Sequence, residues 1–360
     1  MEKGLLMIKK AQYLFLLLIL FISACKPQSI LSPPIGSGYY YNTRLTDEEK
    51  HFYWAIQTGI EALEDEIILP INSINIYSRI FEYILLDNPK IFYVTEFTQI
   101  NNRRSKKSTL KPIYKYDKTF IIQSLEEIEN YLKRFDIVKI RSDIQKELYV
   151  HDYILQNYQY DYTFHEQSHS VLGPIFRKTA VCDGIAKFVK LALNYLNVNC
   201  IVVEGKSLNP PPGSHTDAHA WNIVEIGPNT FHLDVTFNMT LTKNIFRYDF
   251  FNLSDKEIEN SHIILNNVPE CNTSGRDYYT MNGMVVNSFS ELEIYIENKL
   301  RQNNANFVVK LLGIEYSQSV LDQVMALALN KYGSFIRPNS TGQVDVNHNP
   351  SRMVFEIIYM

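Results

Sequence analysis

Cys182, His219 and Asp234 are three residues whose types and positions suit thiol chemistry. The reactive form of a cysteine is the thiolate, and the backbone N–H groups and dipole at the amino end of a helix favour it. Cys182 stands at such a place. The run 182–196 carries Ala186, Val189, Leu191, Leu193 and Leu196, which predicts a helix apolar enough to be buried. A thiolate next needs an imidazole to share its proton, and a third group to hold that imidazole's tautomer and orientation. His219 opens one strand-like run (HAWNIVEI) and Asp234 closes the next (FHLDVTF), and in an antiparallel hairpin those ends lie side by side. Gly184 removes a side chain where a substrate backbone approaches closely.

Each of these residues has an ordinary alternative. The alternative for Cys182 is a packed core cysteine. His219 reads as a structural histidine or, with His215, as a metal pair; the run PPGSHTDAH is a loop with no helix to align the two, so no metal is expected. Asp234 reads as a turn residue at a strand end. His232 is expected on the surface and Cys200 in strand packing. The backbone N–H of Cys182 is a candidate oxyanion donor, and Tyr160 a candidate side-chain donor. No Cys-x-x-Cys occurs, which argues against a structural zinc site.

The motifs CDGIA, VEG, HAWNIV and LDVTF follow one another in an order that resembles the transglutaminase-like superfamily, over about residues 145 to 262. The resemblance implies an α+β, papain-like core in which a buried helix bearing the cysteine packs on an antiparallel sheet. It implies a catalytic triad of Cys182, His219 and Asp234, with Trp221 packing against it and Asn222 beside it in the same motif. Ile185 and Phe237 depart from the aromatic and Trp residues that many bacterial members carry there, which puts the shape of the substrate pocket in question. The implied activity is thiol-dependent acyl transfer on protein or peptide amides, either cross-linking or hydrolysis. The competing expectation is a surface binding module that keeps the fold without the catalysis. No cofactor is implied, and no acidic loop resembles a calcium site.

The elements that must position these residues are legible from periodicity and caps. Thr46 with Glu49 forms a capping-box pattern ahead of Phe52, Ile56 and Ile60, and a second helix fits 74–86. Strands over 91–99 and 109–116 flank the polar turn NNRRSKKS, which is expected to be a solvated hairpin tip. An amphipathic helix over 137–158 leads into the Cys182 region. A C-terminal region alternates helix (292–300), strand (307–312), helix (320–332) and strand (353–359).

The first 25 residues are an export signal: Lys3, Lys9 and Lys10 precede an apolar run too short to span a bilayer, and Ile22-Ser23-Ala24-Cys25 resembles a lipoprotein processing box. The expected organisation is a signal over 1–25, a tether and α+β region over 26–136, the catalytic domain over 137–265, and a further α+β region over 266–360. The expected location is the outer side of the bacterial membrane, held there by lipid on Cys25. The chain's 35 basic and 39 acidic side chains form no basic stripe, which disfavours nucleic acid as a partner. A protein or peptide substrate and the membrane are the expected partners.

Overall fold

The computed structural model of the chain describes residues 38–137, 139–140, 142–210, 216–332 and 343–360. The export signal, Cys25, most of the tether and His215 lie outside the described residues.

The capping box forms as its spacing predicts. The Thr46 hydroxyl accepts the Glu49 N–H, and the Glu49 carboxylate accepts the Thr46 N–H, starting the helix Asp47–Glu61. A second helix runs Ile74–Asp87. Strands β1 (Ile67–Pro70), β2 (Val94–Asn102) and β3 (Lys107–Tyr114) make an antiparallel sheet in the order β1-β3-β2, with the basic turn exposed at its tip. The amphipathic helix begins at Asp143 and ends at Asn157, while 133–137 form a separate 3-10 turn.

The centre of the molecule is the helix Cys182–Tyr195 against a five-stranded antiparallel sheet. The strands are β6 (Cys200–Ser207), β7 (Ala218–Ile226), β8 (Asn229–Leu233), β9 (Phe251–Leu253) and β10 (His262–Ile264), in the order β10-β6-β7-β8-β9. Ile185, Ala186, Phe188, Val189, Ala192 and Leu193 of the helix are buried. Strand β7 is buried on both faces, so its burial is continuous from His219 to Val224 rather than alternating. Ala220 and Val224 pack on the helix side, Trp221 and Ile223 on the other.

The run expected to continue as strand through Phe237 does not. Strand β8 stops at Leu233, and Val235–Leu241 form a helix whose N-cap is Asp234, with Oδ1 accepting the Phe237 N–H at 2.9 Å. A carboxylate at that position satisfies a helix N–H, which outweighs the β-propensity of Val235 and Thr236.

One hydrophobic cluster runs from Leu45 to Phe251, so the N-terminal helices and the Cys182 helix share a core. Fully buried Lys190 fastens the start of the described chain to this helix, donating to the Gly38 carbonyl at 2.6 Å and the Cys200 carbonyl at 3.0 Å. The C-terminal region has its own cluster. It covers a four-stranded sheet of β11 (Val285–Val286), β12 (Asn306–Leu311), β13 (Val344–Asn349) and β14 (Val354–Tyr359), ordered β11-β12-β14-β13. Buried Asp249 joins this sheet to the centre, accepting from Arg247, Tyr279 and Asn349. No helix among the described residues is long and apolar enough to cross a membrane.

Candidate active site

Cys182 is the first residue of its helix and is half-buried. The chain reaches it along β5 (Thr179–Ala180), which pairs in parallel with β4 (Gln159–Tyr160) and so brings Tyr160 alongside. Burial pushes the Tyr160 phenol well above its ordinary range, and the charge of nearby Cys182 adds to the effect. Cys200 and Cys271 are also free thiols, but both are fully buried, and burial pushes Cys271 up to about 12 and Cys200 higher still.

Gly184 does not make room for a substrate. A Cβ there would stand 2.1 Å from the Ser168 carbonyl oxygen, so the backbone that approaches is the chain's own. Ser168 in turn accepts the Val181 N–H at 3.1 Å, which ties the loop to the start of the helix. Gly184→Ala must push one backbone off the other, a cost of about 3 kcal/mol, to be read as a lower urea midpoint at unchanged m-value.

His219 is buried on β7. Its Nε2 lies 2.7 Å from Asp234 Oδ2, and Cys182 is near enough for its sulfur to favour the charged ring. With Nε2 committed to the carboxylate, Nδ1 is the nitrogen left for the sulfur. Burial alone would lower the pKa of the imidazole. The Asp234 carboxylate outweighs it and holds the ring up at about 10. For Asp234 burial acts upward, and His219 and His262 together hold the carboxyl well below its usual range.

These two shifts make stability pH-dependent in opposite directions. The Asp234 contribution is present above the unfolded carboxyl's pKa, about 4, and is lost only in strong acid. The His219 contribution is full below the unfolded imidazole's pKa of about 6.5, and drains away as pH rises to about 10. Calorimetry should therefore find that raising the pH from 6.5 to 10 lowers the Tm of the native protein by about 5 °C more than that of His219→Gln.

Residues around this pair lock it. Trp221 stacks on His219 at 5.9 Å and 19°. Its ring passes over Gly205, where a Cβ would come within 2.6 Å of the indole. The indole Nε1–H donates to His232 Nδ1 at 3.0 Å, and since an indole only donates, the His232 proton sits on Nε2 and goes to Asp255 at 2.8 Å. His232 is thus wholly buried, not on the surface as expected, because β9 and the short helix Asp255–Ile258 cover β8. The Asn222 side chain hydrogen-bonds to backbone rather than to Cys182 or His219. Its amide donates to the Ala186 and Ile201 carbonyls at 2.9 and 3.1 Å, bracing the helix against β6. Phe237 lies 4.8 Å from the His219 ring and closes the far side.

His262 is the residue that motif spacing does not single out. Its Nε2 lies 3.0 Å from Asp234 Oδ2, the oxygen that His219 also uses. The only local signal is a histidine in a short apolar run, HII, 28 residues after Asp234.

Among the described residues, two groups combine donors that suit a metal, His219-Asp234-His262 and His232-Asp255-Cys271. In the first, the separations of 2.7 and 3.0 Å are those of direct hydrogen bonds, and in the second the indole fixes the His232 proton toward Asp255. As packed, hydrogen bonds already join His219 and His262 to Asp234, and His232 to Asp255.

A sulfur at a helix amino end, near an imidazole that a buried carboxylate keeps protonated, is chemically equipped to attack a carbonyl and to return a proton to the group that leaves. Residues 135–234 match the family model of the Transglutaminase-like superfamily. Two solved structures are similar in part. A protein from Cytophaga hutchinsonii described as a candidate cysteine protease shares 18% identity over 39% of this chain and 61% of that one, with a TM-score of 0.27. A structure described as a TGase shares 17% identity over 42% and 46% of the two chains, with a TM-score of 0.29. The chain spans less than two thirds of the length of either. No curated protein matches the sequence.

Proposed function

We propose that this protein is a thiol-dependent acyl-transfer enzyme acting on protein or peptide amides, exported and held at the cell envelope by lipid on Cys25. The observation that carries the catalytic part is His219, hydrogen-bonded to buried Asp234 at 2.7 Å with Cys182 near enough to favour its charge. The Cys182 sulfur attacks the amide carbonyl, and the C–N bond breaks as His219 Nδ1 gives its proton to the departing amine. The acyl group is then a thioester on Cys182. Water or a second amine attacks it and yields a proton to His219, giving hydrolysis or cross-linking. The Cys182 backbone N–H and the Tyr160 hydroxyl are the donors proposed for the oxyanion.

Incubation with cell-envelope extract, followed by peptide mass spectrometry, should find an acyl adduct on Cys182. Added fluorescent primary amine should appear in protein acceptors if the enzyme cross-links, and free carboxylate if it hydrolyses. An unmodified Cys182, with neither product, leaves the fold as a binding module. The anchor is tested separately, by fatty-acid labelling that is lost in Cys25→Ala.

A further inference from the structure

We infer that His262 is a positioning residue of this site, acting through Asp234, an inference that rests on the acyl-transfer reading above. Three donors converge on Asp234. Oδ1 takes the Phe237 N–H at 2.9 Å, and Oδ2 takes His219 Nε2 at 2.7 Å and His262 Nε2 at 3.0 Å. With two donors alone the carboxylate still has freedom to swing about its Cβ–Cγ bond. The third, from a different strand, removes it.

The topology explains why this contact is available. His262 belongs to edge strand β10, which pairs with β6, and β6 pairs with β7, where Gly205 faces His219. The two imidazoles therefore hang from strands on either side of β6 and meet at one oxygen. His262 has no freedom of its own. Its ring lies 4.8 Å from Trp221, 4.8 Å from Phe237 and 5.6 Å from Phe250.

Hydrogen-bond accounting gives its protonation state. An ionised carboxylate only accepts, so His262 Nε2 carries the proton. Burial and the neighbouring His219 charge both disfavour a second proton, leaving Nδ1 an acceptor 2.8 Å from the Ser261 hydroxyl, whose single proton it shares with the Ile258 carbonyl at 3.0 Å. The titratable groups facing His262 are Asp234, His219 and, past Trp221, His232. A neutral donor steers the carboxylate without taking over its charge, which remains for His219.

The test uses the full chain with His262→Phe, His262→Gln and Ser261→Ala. Phe keeps ring bulk and loses the donor, whereas Gln keeps an N–H near the Nε2 position and loses the ring. The first readout is the rate of iodoacetamide alkylation of Cys182 against pH. In His262→Phe the carboxylate drifts and the imidazolium is held less firmly, so the half-maximal pH should rise by about one unit, lowering labelling at pH 6 about tenfold. His262→Gln should stay within about threefold of the native rate, and Ser261→Ala should move the same way as Phe but less.

The second readout is the downfield NMR signal of the His219 Nε2 proton, which does not depend on Cys182 reacting. It should survive in His262→Gln and be lost to exchange in His262→Phe. Native-like behaviour of His262→Phe in both readouts, or equal loss in Phe and Gln, overturns the positioning role. If His262→Phe does not fold, an unshifted profile in Ser261→Ala with loss of the signal in His262→Gln overturns it. A native Cys182 no more reactive than a free thiol, with the NMR pattern intact, would instead count against acyl transfer and leave the His262 contact standing.

Discussion

Cys182→Ser lowers turnover by about four orders of magnitude or more while moving Tm by no more than about 2 °C. Only one atom changes, at a half-buried position, so little packing is lost. The loss of activity follows from the charge state of its partner. Asp234 holds the His219 ring up at about 10, so near neutral pH that ring is an imidazolium with no lone pair to offer at Nδ1. A thiol ionises readily enough to sit opposite an imidazolium as thiolate; a serine hydroxyl does not, and the cation cannot deprotonate it. The same variant should also lose nearly all rapid iodoacetamide labelling, since Cys200 and Cys271 are buried and burial holds both protonated. The measurement is steady-state turnover with the amide donor identified from the Cys182 adduct, alongside thiol labelling of the folded protein. Turnover above about one per cent of native would show that the sulfur is not the nucleophile.

Asp234→Asn should cost about four orders of magnitude in turnover, by a different route. The amide is the same size and its oxygen can still cap the helix at the Phe237 N–H. Its nitrogen, however, then faces two Nε2 atoms that both donated to Oδ2. To avoid donor against donor, His219 must give up its Nε2 proton and accept there, keeping only the proton on Nδ1. That neutral ring still points a hydrogen at Cys182, but it has lost the charge that holds the sulfur as thiolate and makes Nδ1 acid enough for the departing amine. Labelling of Cys182 should fall less than turnover, because alkylation needs only a thiolate whereas catalysis needs a correctly oriented proton donor as well. Far-ultraviolet circular dichroism should be unchanged. Equal loss of labelling and turnover would mean that Asp234 acts on the fold and not on the tautomer of His219.

The parts of this site that can be read in the chain are those encoded over short spans. A capping box needs Thr46 and Glu49 three residues apart, and a buried helix shows itself by apolar residues at its own period. His219 and Asp234 are 15 residues apart on adjoining strands, so a hairpin is enough to bring them together. Strands β9 and β10, three residues each, are too short for any alternation to register. His262 is hidden for that reason, although it shares an oxygen with His219.

The amino-acid sequence by itself determined where the Cys182 helix begins, which strand carries His219, and that Asp234 ends the neighbouring one. Tertiary structure decided what covers each of them. Gly184 is required by the Ser168 carbonyl, a contact made only when the loop at 166–169 folds back on the helix. His232 is interior because a later strand and a short helix close over it, and Asp234 becomes a three-way acceptor because β10 docks on the far side of β6. Periodicity and caps express preferences felt within one or two turns of chain. The burial of a face and the partner of a buried proton depend on segments tens of residues away, which no local pattern encodes.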